Sequence, residues 1–156
     1  MTTLSIVLYG DMEAYDDSNG QLFFVKRKSK WTSNIILTFY KGNKLILKTS
    51  HYTINPFNRV KIDYQNLNHL VSINENELSV KGLGVIKIKQ NNFTYTLNKR
   101  LGLICHNSTE IASVVLRNRI SLTNAILEVR FTTKEKDLIF YSLLFLAIES
   151  SDMDGD

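Results

Sequence analysis

Four cations and an indole stand together near the amino end of the chain, in Lys26-Arg27-Lys28-Ser29-Lys30-Trp31. Ammonium and guanidinium groups gathered this closely can hold phosphate esters. Beside an anionic membrane each contributes about 1 kcal/mol, and Trp itself prefers the membrane interface. Nucleic acid offers the same phosphates, but no RNP, helix-turn-helix or zinc pattern accompanies the cluster, so nucleic acid is not the expected partner. The plain alternative is a solvated basic hairpin. Lys26, Arg27, Lys28, Lys30 and Trp31 are therefore the candidate lipid- or anion-binding residues.

Little else in the chain could do bond chemistry. His51, His69 and His106 are far apart in sequence, and the adjacent Cys105 and His106 would point to opposite faces of a strand. No H-E-x-x-H, C-x-x-C or G-x-S-x-G occurs. The stretch Asp152-Met-Asp154-Gly155-Asp156 lacks the Glu that a calcium loop places six residues beyond its Gly. Gly82 and Gly84 fall between strands and not ahead of a helix, so they make no phosphate loop. The expectation is a non-enzymatic protein with no catalytic residues, metal or cofactor.

The 156 residues fit a single domain over residues 1–150, large enough to bury about two thirds of its unfolded surface, followed by an acidic disordered tail at 151–156. One cysteine cannot form an internal disulfide, and Met1 to Gly10 has no basic or long apolar run. A reducing cytoplasm is expected, and the two sequons at Asn92 and Asn107 then have no use. The net charge of +4 hides an asymmetry: residues 21–130 hold 17 Lys plus Arg against 5 Asp plus Glu, a net of +12. Such a body speeds encounter with anionic surfaces without selecting among them.

The elements that must position the cluster are mostly strands. Leu4, Ile6 and Leu8 alternate with Ser5, Val7 and Tyr9, and Asp16 to Gly20 turns the chain into Gln21 to Val25. Ile35 to Tyr40 and Leu45 to Lys48 flank Lys41-Gly-Asn-Lys44, a hairpin signal. Val60, Ile62 and Tyr64 follow, after Pro56 in the connection. Leu78 and Val80, then Ile86 and Ile88, then Phe93, Tyr95 and Leu97, then Leu103 to Cys105, continue the same grammar. Ile111 to Leu122 reads as strand in preference to helix, and Leu127, Val129 and Phe131 make one more. The total is about ten short strands.

Asp137 to Ser150 breaks the pattern. Leu138 to Ile148 contain one polar residue, Ser142, so a helix built from them wants protein on every side. Eleven residues reach only about 16 Å, roughly half the hydrocarbon thickness, which argues against a transmembrane span. Thr132 and Glu135 stand at the spacing of a capping box. A large barrel has a lumen to fill, and its closure removes exposed edges. The expected fold is therefore mainly β: an antiparallel closed β-barrel with the hydrophobic C-terminal helix running through its centre.

The order Phe93-Thr-Tyr-Thr-Leu97, Gly102 turn, strand, Ile111-Ala-Ser-Val, Ala125 to Phe131, then Asp137-Leu-Ile to Leu-Ala-Ile-Glu149 resembles the carboxyl half of the superfamily of tubby C-terminal-like, LURP-one-related and phospholipid scramblase proteins. The resemblance covers about residues 85 to 150. It implies a twelve-stranded barrel around a hydrophobic helix. It also implies lipid as ligand class, since tubby domains bind phosphoinositides through basic residues and scramblases act on phospholipids. The functional expectation is a cytoplasmic, peripherally membrane-associated binding module for anionic phospholipid surfaces. The alternative is a protein-interaction role, as an inhibitor or immunity-like protein that binds a partner protein.

Overall fold

The structure, a computed structural model, describes residues 2–9, 11–15, 21–29, 34–52, 59–74, 76–90, 100–119 and 124–150. Its elements are β1 (Thr2–Tyr9), β2 (Asp11–Tyr15), β3 (Gln21–Ser29), β4 (Asn34–Lys41), β5 (Lys44–Tyr52), β6 (Arg59–Gln65), β7 (Val71–Asn74), β8 (Glu77–Val80), β9 (Gly84–Gln90), β10 (Arg100–His106), β11 (Thr109–Arg119), β12 (Asn124–Phe131) and α1 (Lys136–Ser150). The expected turn at Asp16 to Gly20, strand at Phe93 to Leu97 and acidic tail at 151–156 lie outside the described residues.

Alternation decides the strands. Ile35, Leu37 and Phe39 are buried while Ile36, Thr38 and Tyr40 between them are half-buried, the pattern of a sheet with one face on a core. Gly42, at a φ of +62°, makes the tight turn that sets Lys41 opposite Lys44. A second two-residue turn, Asn107-Ser108, has both φ values positive, at 47° and 72°, as a type I′ hairpin requires. Ile111 to Leu122 is indeed strand as far as it is described.

All strand pairs are antiparallel within one twelve-stranded order, β6-β5-β4-β3-β2-β1-β12-β11-β10-β9-β8-β7. Two six-stranded meanders meet where β1 pairs with β12 over Thr2↔Phe131 to Tyr9↔Asn124. The order ends at β6 and β7. What joins these two strands is a side chain: the Gln65 carboxamide donates to the Val71 carbonyl at 3.1 Å and accepts the Val71 N–H at 2.9 Å.

Every residue of α1 from Leu138 to Ile148 is buried except Phe140, which is half-buried. Among the described residues, one apolar cluster joins the helix to buried side chains of β3 to β5 and β7 to β12, among them Phe23, Phe39, Leu47, Leu78, Ile104 and Phe131, with Val60 and Ile62 of β6 packed against it. No helix among the described residues is long and apolar enough to cross a membrane. The expected capping box does not form. Thr132 is still tied to β11, its N–H and its hydroxyl both donating to the Ile111 carbonyl, so its side chain is turned from the helix. Instead the Thr133 hydroxyl accepts the Glu135 N–H at 3.2 Å, and the Glu135 carbonyl accepts the first helical bond, from Ile139.

Two buried hydroxyls, Thr49 on β5 and Ser142 on α1, have no hydrogen-bond partner. A buried hydroxyl without a partner costs about 1–3 kcal/mol. Thr49→Val is therefore expected to raise the denaturant midpoint, whereas Leu144→Ala, which opens a cavity beside a fully buried helix, should lower stability by about 2–5 kcal/mol. Equilibrium urea unfolding of the two variants checks both signs.

Candidate functional site

Strand alternation divides the basic cluster. On β3 the exposed Lys26 and Lys28 point outward, and the half-buried Arg27 between them lies in the inward row with Leu37, Thr49 and Ile62. Lys30 and Trp31 lie outside the described residues. What the two outward lysines gain is neighbours across the sheet. Lys26 is in register with Thr38, and Thr38 with Lys48; Lys28 is in register with Ile36, then Ser50, then Lys61. With adjacent strands about 4.8 Å apart, Lys26, Lys28, Lys48 and Lys61 share one outer face. Phe24 and Tyr40 stack there at 5.6 Å, and the Lys26 Nζ sits 5.6 and 5.8 Å from their ring centroids. An acid group borders the patch, where Asp63 accepts the Ser50 hydroxyl.

Sequence proximity finds Lys26 and Lys28 and misses Lys48 and Lys61. The signal that could have found them is the parity of Lys48 and Ser50 on β5 and of Lys61 on β6, each one step out of phase with buried or half-buried neighbours.

A second constellation lies where α1 enters the core. The Tyr141 hydroxyl accepts the His69 N–H at 2.9 Å and donates to the His69 carbonyl at 3.3 Å, with the two rings edge to face. His69 Nδ1 donates to the Lys81 carbonyl at 3.0 Å, an assignment fixed by the acceptor, and its Nε2 is 3.6 Å from Asp137. His106 Nε2 donates to the Leu83 carbonyl. Two histidines far apart in sequence thus grip one turn, Lys81 to Leu83. Asn107 completes the grip by accepting the Val85 N–H at 2.9 Å. The Asn107 side chain fills the space a Cβ at Gly84 would need. His51 is buried on β5, away from this turn in the sheet order. Among the described residues no three His, Cys, Asp or Glu side chains gather as a metal site.

Beside the Tyr141 knot is a cleft of about 370 Å³, with Leu22, Ile46, Leu67 and Phe140 as apolar walls and Lys41, Lys44 and Lys136 among its polar ones. The chain matches no protein-family model, no curated protein and no solved structure.

Burial raises the Tyr141 phenol above its ordinary pKa, the bond its oxygen accepts from the His69 N–H opposes this, and the Asp137 carboxylate adds to the rise. The unfolded chain therefore ionises this tyrosine first, so the linked stability is complete below about pH 10 and declines as pH rises beyond it. Tyr141→Phe removes both His69 bonds and should cost about 1–3 kcal/mol at neutral pH. It should also flatten the fall in stability above pH 10, measured by urea unfolding at pH 7, 9 and 11.

Proposed function

We propose that this chain is a non-enzymatic, cytoplasmic binding module that associates peripherally with anionic phospholipid surfaces through the outer face of β3 to β6. The observation that carries this reading is the register that sets Lys26, Lys28, Lys48 and Lys61 on one face beside the stacked Phe24 and Tyr40. The Lys26 head beside the half-buried Phe24 and Tyr40 rings matches a headgroup layer, where cations meet phosphate and aromatic edges meet glycerol and acyl carbon. In the same reading the two ends of the sheet close on each other across the Gln65 bridge. The result is a barrel with α1 as its core, as the resemblance to tubby C-terminal-like, LURP-one-related and scramblase proteins implies.

A partner protein is the second reading, favoured by a different observation. The large hydrophobic residues that stand exposed among those described are Tyr64 and Leu70, at 44% and 56%. They flank the connection between β6 and β7, the two strands that end the sheet order. Exposed apolar groups at strand edges are what a partner strand or loop covers.

Co-sedimentation with phosphatidylserine vesicles and with phosphatidylcholine vesicles tests the first reading. Binding to the anionic vesicles alone is expected. Changing Lys26, Lys28, Lys48 and Lys61 to Gln together should weaken it on the order of 10²-fold or more, at about 1 kcal/mol for each lysine near the surface. Equal recovery with both vesicle types would remove the lipid reading. A stoichiometric protein complex that survives the four lysine changes but is lost with Tyr64→Ser and Leu70→Ser would establish the second.

A further inference from the structure

We infer that the cleft at the amino-terminal end of α1 is a binding site for a small amphipathic anion, a phosphate or carboxylate that carries a ring-sized apolar body. The cavity of about 370 Å³ is within the range of small-molecule sites, roughly 300–1,000 Å³. Its two kinds of wall are segregated by chemistry. Leu22, Ile46, Leu67 and Phe140 supply the apolar side, and Lys41, Lys44 and Lys136 the cationic side.

Each half carries a cost that an occupant would relieve. Lys41 and Lys44 are direct cross-strand partners at the neck of the β4–β5 hairpin, and like charges opposite one another destabilise a strand pair. A third cation, Lys136, opens α1 at the same cleft, where the positive end of the helix dipole adds to it. The one carboxylate in the lining, Asp137, has an oxygen 3.6 Å from His69 Nε2. Three cations and one acid therefore line the polar side of the cleft. On the apolar side, Phe140 is the one residue from Leu138 to Ile148 that is not fully buried, and it is a wall of this cleft. Phe23 and Tyr141 pack edge-on against its ring, and Lys41 Nζ lies 5.9 Å from its centroid. An apolar ring resting against Phe140 would carry its acid group toward the lysines.

The site is separate from the outer face of β3 to β6, because neither Lys26 nor Lys28 lines it. That separation shapes the experiment. Phenyl phosphate, inorganic phosphate and benzyl alcohol are titrated into the full chain at low ionic strength, where charge contacts are least screened, and binding is followed by ligand-observed NMR. Phenyl phosphate is expected to bind saturably and at least about tenfold more tightly than either fragment. Changing Lys44 and Lys136 together to Gln should weaken it about three- to tenfold. The Lys26→Gln, Lys28→Gln pair should leave it within about twofold. All four lysines are exposed, and a thermal melt of each variant verifies that the fold is intact. Absence of saturable phenyl phosphate binding overturns the inference. So does equal binding of inorganic phosphate, or a loss as large for the Lys26 and Lys28 pair as for Lys44 and Lys136. Vesicle binding in the presence of saturating phenyl phosphate distinguishes a lipid headgroup from a free solute. Displacement from the vesicle would assign the cleft to a lipid phosphate, and persistence to a soluble anion.

Discussion

Burial of α1 on every side is the constraint on which the other features depend. A helix with one apolar stripe can lie on an open sheet, but from Leu138 to Ile148 each direction carries Leu, Ile, Phe or Ala, and no orientation leaves a polar face for water. Fifteen residues at about 1.5 Å each make a rod about 22 Å long, and among the described residues its buried side chains share one cluster with buried side chains from β3 to β5 and β7 to β12. Once their inward residues are committed to the helix, their outward residues must face solvent, and the short connections follow from strands that run back and forth beside one another.

The entry of the helix is where this arrangement needs specific polar bonds. Chain leaving β12 passes from ladder to helix within a few residues, so the exposed backbone groups at the transition need partners. Ile111 satisfies Thr132, and Thr133 and Glu135 satisfy each other and Ile139. Tyr141, one turn further in, ties the helix to the connection before β7 through both backbone groups of His69. The histidines that the sequence offers as reactive groups are spent on this kind of work: His69 and His106 hold the carbonyls of the β8–β9 turn.

Much of the fold is legible from residue pattern. Alternation in Ile35 to Phe39 and the unbroken apolar run of α1 are signals of different period, two against about 3.6, and they do not compete. The Lys41 to Lys44 hairpin is carried by Gly42, whose φ of +62° few other residues tolerate. Two strands escape such reading. β2, Asp11-Met-Glu-Ala-Tyr15, has two acids and no β-branched residue, and it is a strand because β1 and β3 pair with it on either side. β7 has only four residues, Val71 to Asn74, too few for a periodic signal. The capping box failed for a related reason. The T-x-x-E spacing is local, but the Thr132 hydroxyl is claimed by Ile111, a strand neighbour remote in sequence.

The same contrast governs the candidate site. On a helix, adjacent cations spread around the axis; on a strand, they alternate between faces, so Lys26-Arg27-Lys28 presents Lys26 and Lys28 to one face and turns Arg27 to the other. A cationic surface on a sheet is assembled across strands, from residues separated by the length of a hairpin, as Lys28 and Lys61 are. Their association is invisible until register is known, because a slip of one residue in β5 would carry Lys48 inward and expose Leu47 instead. Register in turn is held by the inward rows, Val25, Phe39 and Leu47 among them, packed against the helix cluster. The outer lysines are thus placed by the same burial that fixes α1, and any ligand read by this face is selected by the core beneath it.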